Sequence, residues 1–117
     1  MILADTSVWI DHFRRGNPTL AAHLGKGRIV CHPFIVGELA LGNLRDRAEI
    51  LTHLNRLPHV PVASHDEVLD FVERRRLFGL GIGWVDVHLL AAVLLSGAKL
   101  WALDAQLARV ARRVRVA

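Results

Sequence analysis

The chain has 117 residues, one cysteine, 52% apolar residues, and fifteen Lys plus Arg against eleven Asp plus Glu. This is the composition of an ordinary globular domain and excludes disordered, fibrous and disulfide-stapled classes; a chain of this size buries roughly two-thirds of its unfolded surface, enough for a core without staples. The longest apolar run, Leu89 to Leu95, is far short of the ~20 residues a membrane-spanning helix needs, and Met1 to Phe13, with Asp5 and Asp11 and no basic opening, does not read as a signal peptide.

Charge is more informative by position than in total. Arg109, Arg112, Arg113 and Arg115 all follow the last acid, Asp104, so four of the fifteen cations sit in residues 105 to 117 and the preceding 104 residues balance at eleven against eleven. The formal +4 is therefore a basic C-terminal end on a neutral body, which suits a contact with a polyanion or, equally, a solvated helix end. Cys31, in the run Ile29-Val30-Cys31, reads as a small core residue of a protein in a reducing compartment, the cytoplasm, although a secreted protein without bridges is also compatible.

Short β-like runs alternate with longer helical ones, a pattern that implies parallel strands with helices packed over them. Met1 to Ala4 is the first expected strand. Thr6 and Ser7 can cap the next segment, whose Val8, Trp9 and Phe13 recur at helical spacing until Gly16 and Pro18. Leu20 to Leu24 is a short helix and Arg28 to His32 the second strand, after which Pro33, suited to a first helical position, opens a helix through Leu41. A helix from Asp46 to Leu57 precedes a weak edge strand, His59 to Ala63, bounded by prolines. Ser64-His-Asp-Glu67 is a capping box before a helix from about Asp66 to Phe78. Glycines 79, 81 and 83 then break the chain, and Trp84 to Leu95 is apolar almost all round, the mark of a buried helix. Lys99 to Leu103 is the next strand, Asp104 caps an amphipathic helix through Arg113, and Val114 to Ala117 is a short final strand. No repeat or linker interrupts residues 1 to 117, so one compact three-layer α/β domain is expected.

Four acids stand where apolar residues or plain caps would be ordinary. Asp5 and Asp104 end strands, and the carboxyl ends of parallel strands line the ligand crevice of such sheets; each also reads as a helix N-cap. Glu38 lies in the mostly apolar Pro33-Phe-Ile-Val-Gly-Glu-Leu-Ala-Leu, where a buried unpaired carboxylate would cost several kcal/mol. Asp86 interrupts Trp84-Val-Asp-Val-His-Leu, and is either functional or a first-turn acid favoured by the helix dipole. If their strands are neighbours, the four converge at one edge of the sheet. Close carboxylates stay ionised together only around a cation, and all-oxygen ligation suits Mg²⁺, with Mn²⁺ as a substitute. Such a site activates water for attack on a phosphodiester. Arg109, Arg112 and Arg113, at i, i+3 and i+4, are candidates to hold the nucleic-acid backbone.

These blocks, Ile2-Leu-Ala-Asp-Thr-Ser-Val-Trp, Gly37-Glu38-Leu, Gly83-Trp-Val-Asp-Val-His-Leu-Leu-Ala-Ala and Leu100-Trp-Ala-Leu-Asp, resemble those of PIN-domain ribonucleases over essentially the whole chain. More narrowly, the chain is similar to the VapC-type toxins of prokaryotic toxin–antitoxin pairs. The resemblance implies a PIN fold with a central parallel sheet, metal-dependent endoribonuclease activity on RNA, homodimerisation, and neutralisation by a cognate VapB-like antitoxin. It places the acidic positions on Asp5, Glu38, Asp86 and Asp104, with Asp5 and Asp86 the firmest ligands, and the supporting hydroxyls on Thr6 and Ser7. Ala102 departs from the Thr or Ser that many members carry two residues before the fourth acid.

Other signals point elsewhere. Seven histidines include no His-Glu-x-x-His pattern and no cysteine partners, so zinc is not expected. His88 reads as an interior residue. Gly79, Gly81 and Gly83 do not follow a strand and form no dinucleotide fingerprint. Arg74 to Arg76 fit a solvated helix face, and Trp84 is the tryptophan best placed to stack on a base, with core packing the default. A receiver-type phosphotransfer domain would need adjacent acids after strand one, where Thr6 and Ser7 stand. A catalytically silent module that binds nucleic acid through the basic C-terminus is the alternative function.

Overall fold

A computed structural model describes all residues, Met1 to Ala117. Three strands, β1 (Ile2–Ala4), β2 (Ile29–Val30) and β3 (Lys99–Trp101), form a parallel sheet in the order β2-β1-β3. The helices are α1 (Thr6–Arg15), α2 (Pro18–Gly25), α3 (Pro33–Ala40), α4 (Arg47–Arg56), α5 (His65–Arg75), α6 (Trp84–Ser96) and α7 (Ala105–Arg113). The α/β architecture expected from the alternating pattern is the one observed. Leu3 pairs with Val30 on one side and Leu100 on the other, so the first strand of the chain is the middle strand of the sheet. The central strand is shielded on both flanks, and Leu3 and Ala4 are fully buried.

Local chemistry accounts for most helix starts. Asn17 accepts the Leu20 N–H at 2.9 Å and is followed by Pro18 at the first helical position of α2. His32 plays the same part before Pro33 in α3, accepting the Phe34 N–H through Nδ1 at 2.9 Å. Before α5, the capping box is reciprocal: Ser64 Oγ accepts from the Glu67 N–H at 3.1 Å and Glu67 Oε1 from the Ser64 N–H at 2.8 Å. Each such cap satisfies amides that the first helical turn leaves without partners, worth about 1 kcal/mol.

The core joins the sheet to the inner faces of the helices. Leu3 and Leu100 of the strands pack with Val8, Leu20, Ile35, Leu90 and Leu107 of five helices in one cluster. A smaller cluster of Ala63, Val68, Val87 and Ala91 lies between α5 and α6. The buried character expected of α6 holds from Val87 to Val93, whereas Leu94 and Leu95 emerge at the surface.

Several boundaries differ from the sequence expectations. His59 to Ala63 makes a single parallel bridge, Cys31 with His59, rather than a strand, because Pro58 and Pro61 bring no N–H to a ladder. It does lie at the β2 edge, as expected. Val114 to Ala117 is not a strand either: Val116 donates its N–H to Ala111 as a helix-end turn and accepts only the Leu100 N–H from β3. Helix α5 stops at Arg75 instead of Phe78, since Arg76 adopts a left-handed conformation at φ 53°. Thr6 and Ser7 belong to α1 itself, and Asp5 is its N-cap.

Candidate active site

The carboxyl ends of β1 and β3 lie side by side, because the Asp5 N–H donates to the Trp101 carbonyl at 3.0 Å, one residue beyond the strand. There the chain turns into α1 and Asp5 becomes the N-cap. Its Oδ1 accepts the Ser7 N–H at 3.1 Å, the Val8 N–H at 3.4 Å and the Ser7 hydroxyl. Ser7 Oγ also accepts the Leu103 N–H at 3.0 Å, across 96 residues of sequence. One hydroxyl therefore locks the exit of the central strand to the segment that leads to Asp104.

Asp5 is buried at 5% exposure. Burial is the largest influence on its carboxyl and pushes the pKa up; the Ser7 hydroxyl and Val8 N–H oppose that rise, and the nearby negative charge of Asp86 adds to it. None of Asp5, Glu38, Asp86 and Asp104 is ion-paired with a Lys, Arg or His. Asp86 is the acid whose charge reaches buried Asp5.

The other acids are held by local bonds. Asp86, in the first turn of α6, accepts the Gly83 N–H through Oδ2 at 2.9 Å. Asp104 caps α7, accepting the Leu107 N–H at 3.4 Å. The first-turn position of Asp86 and the capping position of Asp104 thus describe these side chains as they stand. Glu38 corrects an expectation: it is exposed rather than buried in the apolar face of α3, and its Oε1 accepts the Thr6 hydroxyl at 2.7 Å. That bond joins α3 to the start of α1 and brings Glu38 beside the Asp5 turn.

The donor set, carboxylates with two supporting hydroxyls and neither thiolate nor imidazole, suits a hard divalent cation. No three acidic, His or Cys side chains close on a common point, since each carboxylate is turned to an N–H or hydroxyl of its own neighbourhood. The negative charge of Asp86 near buried Asp5 is nevertheless the condition that a cation relieves. By donor chemistry and electrostatics the residues fit such an ion.

The arginines expected to hold the nucleic-acid backbone lie on α7 and make separate local contacts. Asp104 and Arg112 are separated by roughly 12 Å of helix rise. Arg113 donates to the carbonyls of Arg75 and Arg76 at 3.0 and 3.5 Å, closing the C-terminal end of α5. Arg112 instead borders a groove with Lys99 and Ala117, and Arg109 bonds Gln106. Nearer the acids, a cavity of about 230 Å³ beside Glu38 is bordered by Arg14, Asn43 and Arg45. Sequence reasoning missed these three; only the 6-10-14 spacing of Thr6, Ile10 and Arg14 along α1 hinted at a shared face.

Around Asp86 the interior is aromatic. Trp84 is 41% exposed, with its ring against His65 and His88 at centroid distances of 5.1 and 4.9 Å. His88 is buried, as expected of an interior residue, with Nδ1 unpartnered, and burial pushes its pKa down. The glycine loop bordering α6 is fastened by Gln106, whose amide donates to the Leu80 carbonyl.

A three-stranded parallel sheet flanked by seven helices, with a buried aspartate at the exit of its central strand, is consistent with a PIN domain. A match to the PIN domain family spans residues 2–113, and the chain belongs to that family. Within it, the chain is similar to Ribonuclease VapC32 of Mycobacterium tuberculosis, from strain CDC 1551 / Oshkosh and from strain ATCC 25618 / H37Rv. Each is 49% identical over 108 residues, 92% of this chain and 87% of the relative. No helix is long and apolar enough to cross a membrane.

Proposed function

We propose that this chain is one PIN domain acting as a Mg²⁺-dependent endoribonuclease inside the cell, with Mn²⁺ as a substitute. We further infer that it is the toxin of a toxin–antitoxin pair, works as a homodimer and is neutralised by a cognate VapB-like antitoxin. The observation that carries the reading is Asp5: buried, unpaired, at the exit of the central strand and within electrostatic reach of Asp86. The VapC relatives support it, since both are named ribonucleases and align over most of this chain.

In this reading Asp5, Glu38, Asp86 and Asp104 hold the cation, with Asp5 and Asp86 its firmest ligands. When bound, a divalent ion supplies positive charge for the phosphate oxygens and acidifies water for attack on phosphorus. The protein's own contribution is orientation. Ser7 and two backbone N–H groups fix one oxygen of Asp5, leaving the other for the ion. Thr6 fixes Glu38 Oε1, and the second oxygen of Glu38 is left to face the ion or to orient water at it. No protein nucleophile is required.

The test is cleavage of RNA by the purified chain with Mg²⁺ or Mn²⁺ and with EDTA. Cleavage should need the ion, and Asp5→Asn or Asp86→Asn should reduce it beyond the roughly 10–100-fold typical of losing an outer partner of a metal site. Undiminished cutting by either variant would refute the assignment. Salt-sensitive binding without turnover, indifferent to EDTA, would identify a silent binding module instead.

A further inference from the structure

We propose that Arg14 and Arg45 form a phosphate-binding groove that guides the RNA backbone to Glu38, an inference that rests on the reading of the acids as a nuclease site. Carboxylates such as Asp5, Glu38 and Asp86 repel RNA, so a substrate phosphate needs cationic side chains close by to be drawn in and held. Of the arginines at the C-terminal end, Arg113 is tied to the end of α5, Arg112 faces the groove with Lys99 and Arg109 bonds Gln106, and none of them borders the cavity beside Glu38. The cavity beside Glu38 has the required charge. Arg14 of α1 and Arg45 of the loop between α3 and α4 both border it, with the Asn43 amide between them in sequence.

Two features make this more than a solvated surface. First, the charges are uncommitted. Arg15 is paired to Asp11 at 2.6 Å, whereas neither Arg14 nor Arg45 has an ion-pair or hydrogen-bond partner, and Glu38 in the same cavity is bonded to Thr6 rather than to either of them. Second, the loop that carries Arg45 is braced. Arg47 donates through Nε and a terminal nitrogen to the Ala40 carbonyl at 2.9 and 2.8 Å, clasping the loop across its base. A braced loop presents Arg45 at a smaller ordering cost when a ligand binds.

The dimensions suit a strand of nucleic acid. From Thr6, beside Glu38, to Arg14 the helix rises roughly 12 Å, the reach of roughly two to four nucleotides of backbone. Ile10 and Phe13 border the same cavity as the arginines. Arginine's planar fork is also the geometry that binds phosphate by two parallel hydrogen bonds.

The experiment measures anisotropy of a labelled single-stranded RNA with the full chain in EDTA across a salt series, and in parallel cleavage of the same RNA in Mg²⁺. The double variant Arg14→Ala, Arg45→Ala should weaken binding about tenfold or more at low salt and flatten the log–log salt slope by about 1.4, at about 0.7 for each phosphate of a single strand that is no longer neutralised. In cleavage it should raise KM more than it lowers kcat. Arg14→Lys with Arg45→Lys should retain most of the slope, and Arg28→Ala, at the opposite end of the sheet, should match the parent. A double alanine variant with the parent's affinity and slope, from a parent that cuts RNA, overturns the groove and leaves the nuclease reading intact. A parent that cuts no RNA overturns the nuclease reading, whatever the slopes.

Discussion

Acid should loosen the helix that carries Glu38, and His32 is the reason. Its ring is fully buried at the N-cap of α3, with Nδ1 accepting the Phe34 N–H and Nε2 unpartnered. A ring that accepts at Nδ1 is neutral, and burial, reinforced by the nearby His88 and His59, pushes its pKa down from 6.5 to about 4. In the unfolded chain the same ring takes up its proton near the ordinary value. The stability carried by the neutral ring is therefore complete above about pH 6.5 and is lost as pH falls through that value toward 4. At about 1.4 kcal/mol per unit, the displacement amounts to about 3 kcal/mol at the acid end. Urea midpoints at constant m, between about pH 7 and pH 4, measure it. His32→Asn retains a capping acceptor that does not titrate. The variant is less stable than the parent at neutral pH, because a buried ring is lost. That deficit should shrink by about 3 kcal/mol across the same range as the parent alone pays for protonation. A deficit that stays constant with pH would refute this account of His32.

Three further outcomes follow from particular side chains. Asp5→Asn should keep the α1 cap, since Asn and Asp cap about equally, and remove a charge whose raised pKa makes it unfavourable in the fold. That cost is absent below the unfolded carboxylate range near pH 3.8 and grows as pH rises past it. Thermal unfolding in EDTA at neutral pH should show the variant about 0.5–2 kcal/mol more stable, and a loss of stability would sink the argument. Ser7→Ala removes both the hydroxyl on Asp5 and the acceptor of the Leu103 N–H; a cost of about 1–2 kcal/mol and faster hydrogen exchange at Leu103 are expected, and unchanged exchange there would contradict the link. Ile35→Ala, at a fully buried position, should cost about 2–5 kcal/mol in denaturant unfolding, while Leu41→Ala, 90% exposed, should stay within about 0.5 kcal/mol.

Most helices were legible because their start signals are local. Pro33 and Ser64-x-x-Glu67 mark the starts of α3 and α5 in adjacent positions, whereas Asn17-Pro18, which reads as the stop of the preceding helix, also caps and opens α2. Strand ends were less legible. Leu103 was expected to extend β3, but its amide is taken by Ser7, and Val114 to Ala117 lacks the partner that would make it a strand. Such outcomes depend on what stands opposite, and a single run of residues does not state that.

The candidate site divides along the same line. Its acids were visible from the sequence because an aspartate or glutamate within an apolar block carries a desolvation cost that calls for an explanation. Their environments were not. The sheet order makes Asp5 the buried centre, Thr6 draws Glu38 to an exposed position beside it, and Asp86 and Asp104 are turned to their own helix N-termini. The basic residues show the sharpest contrast, since a cluster of arginines at the C-terminus is conspicuous in sequence while Arg14 and Arg45 lie 31 positions apart. The sequence by itself determined the order of elements, the caps and the chemical identity of the acids, all consequences of short-range bonding and solvation. Only the tertiary structure decided which acids are buried and which arginines stand beside them, because strand order and helix packing set the distances that electrostatic interactions follow.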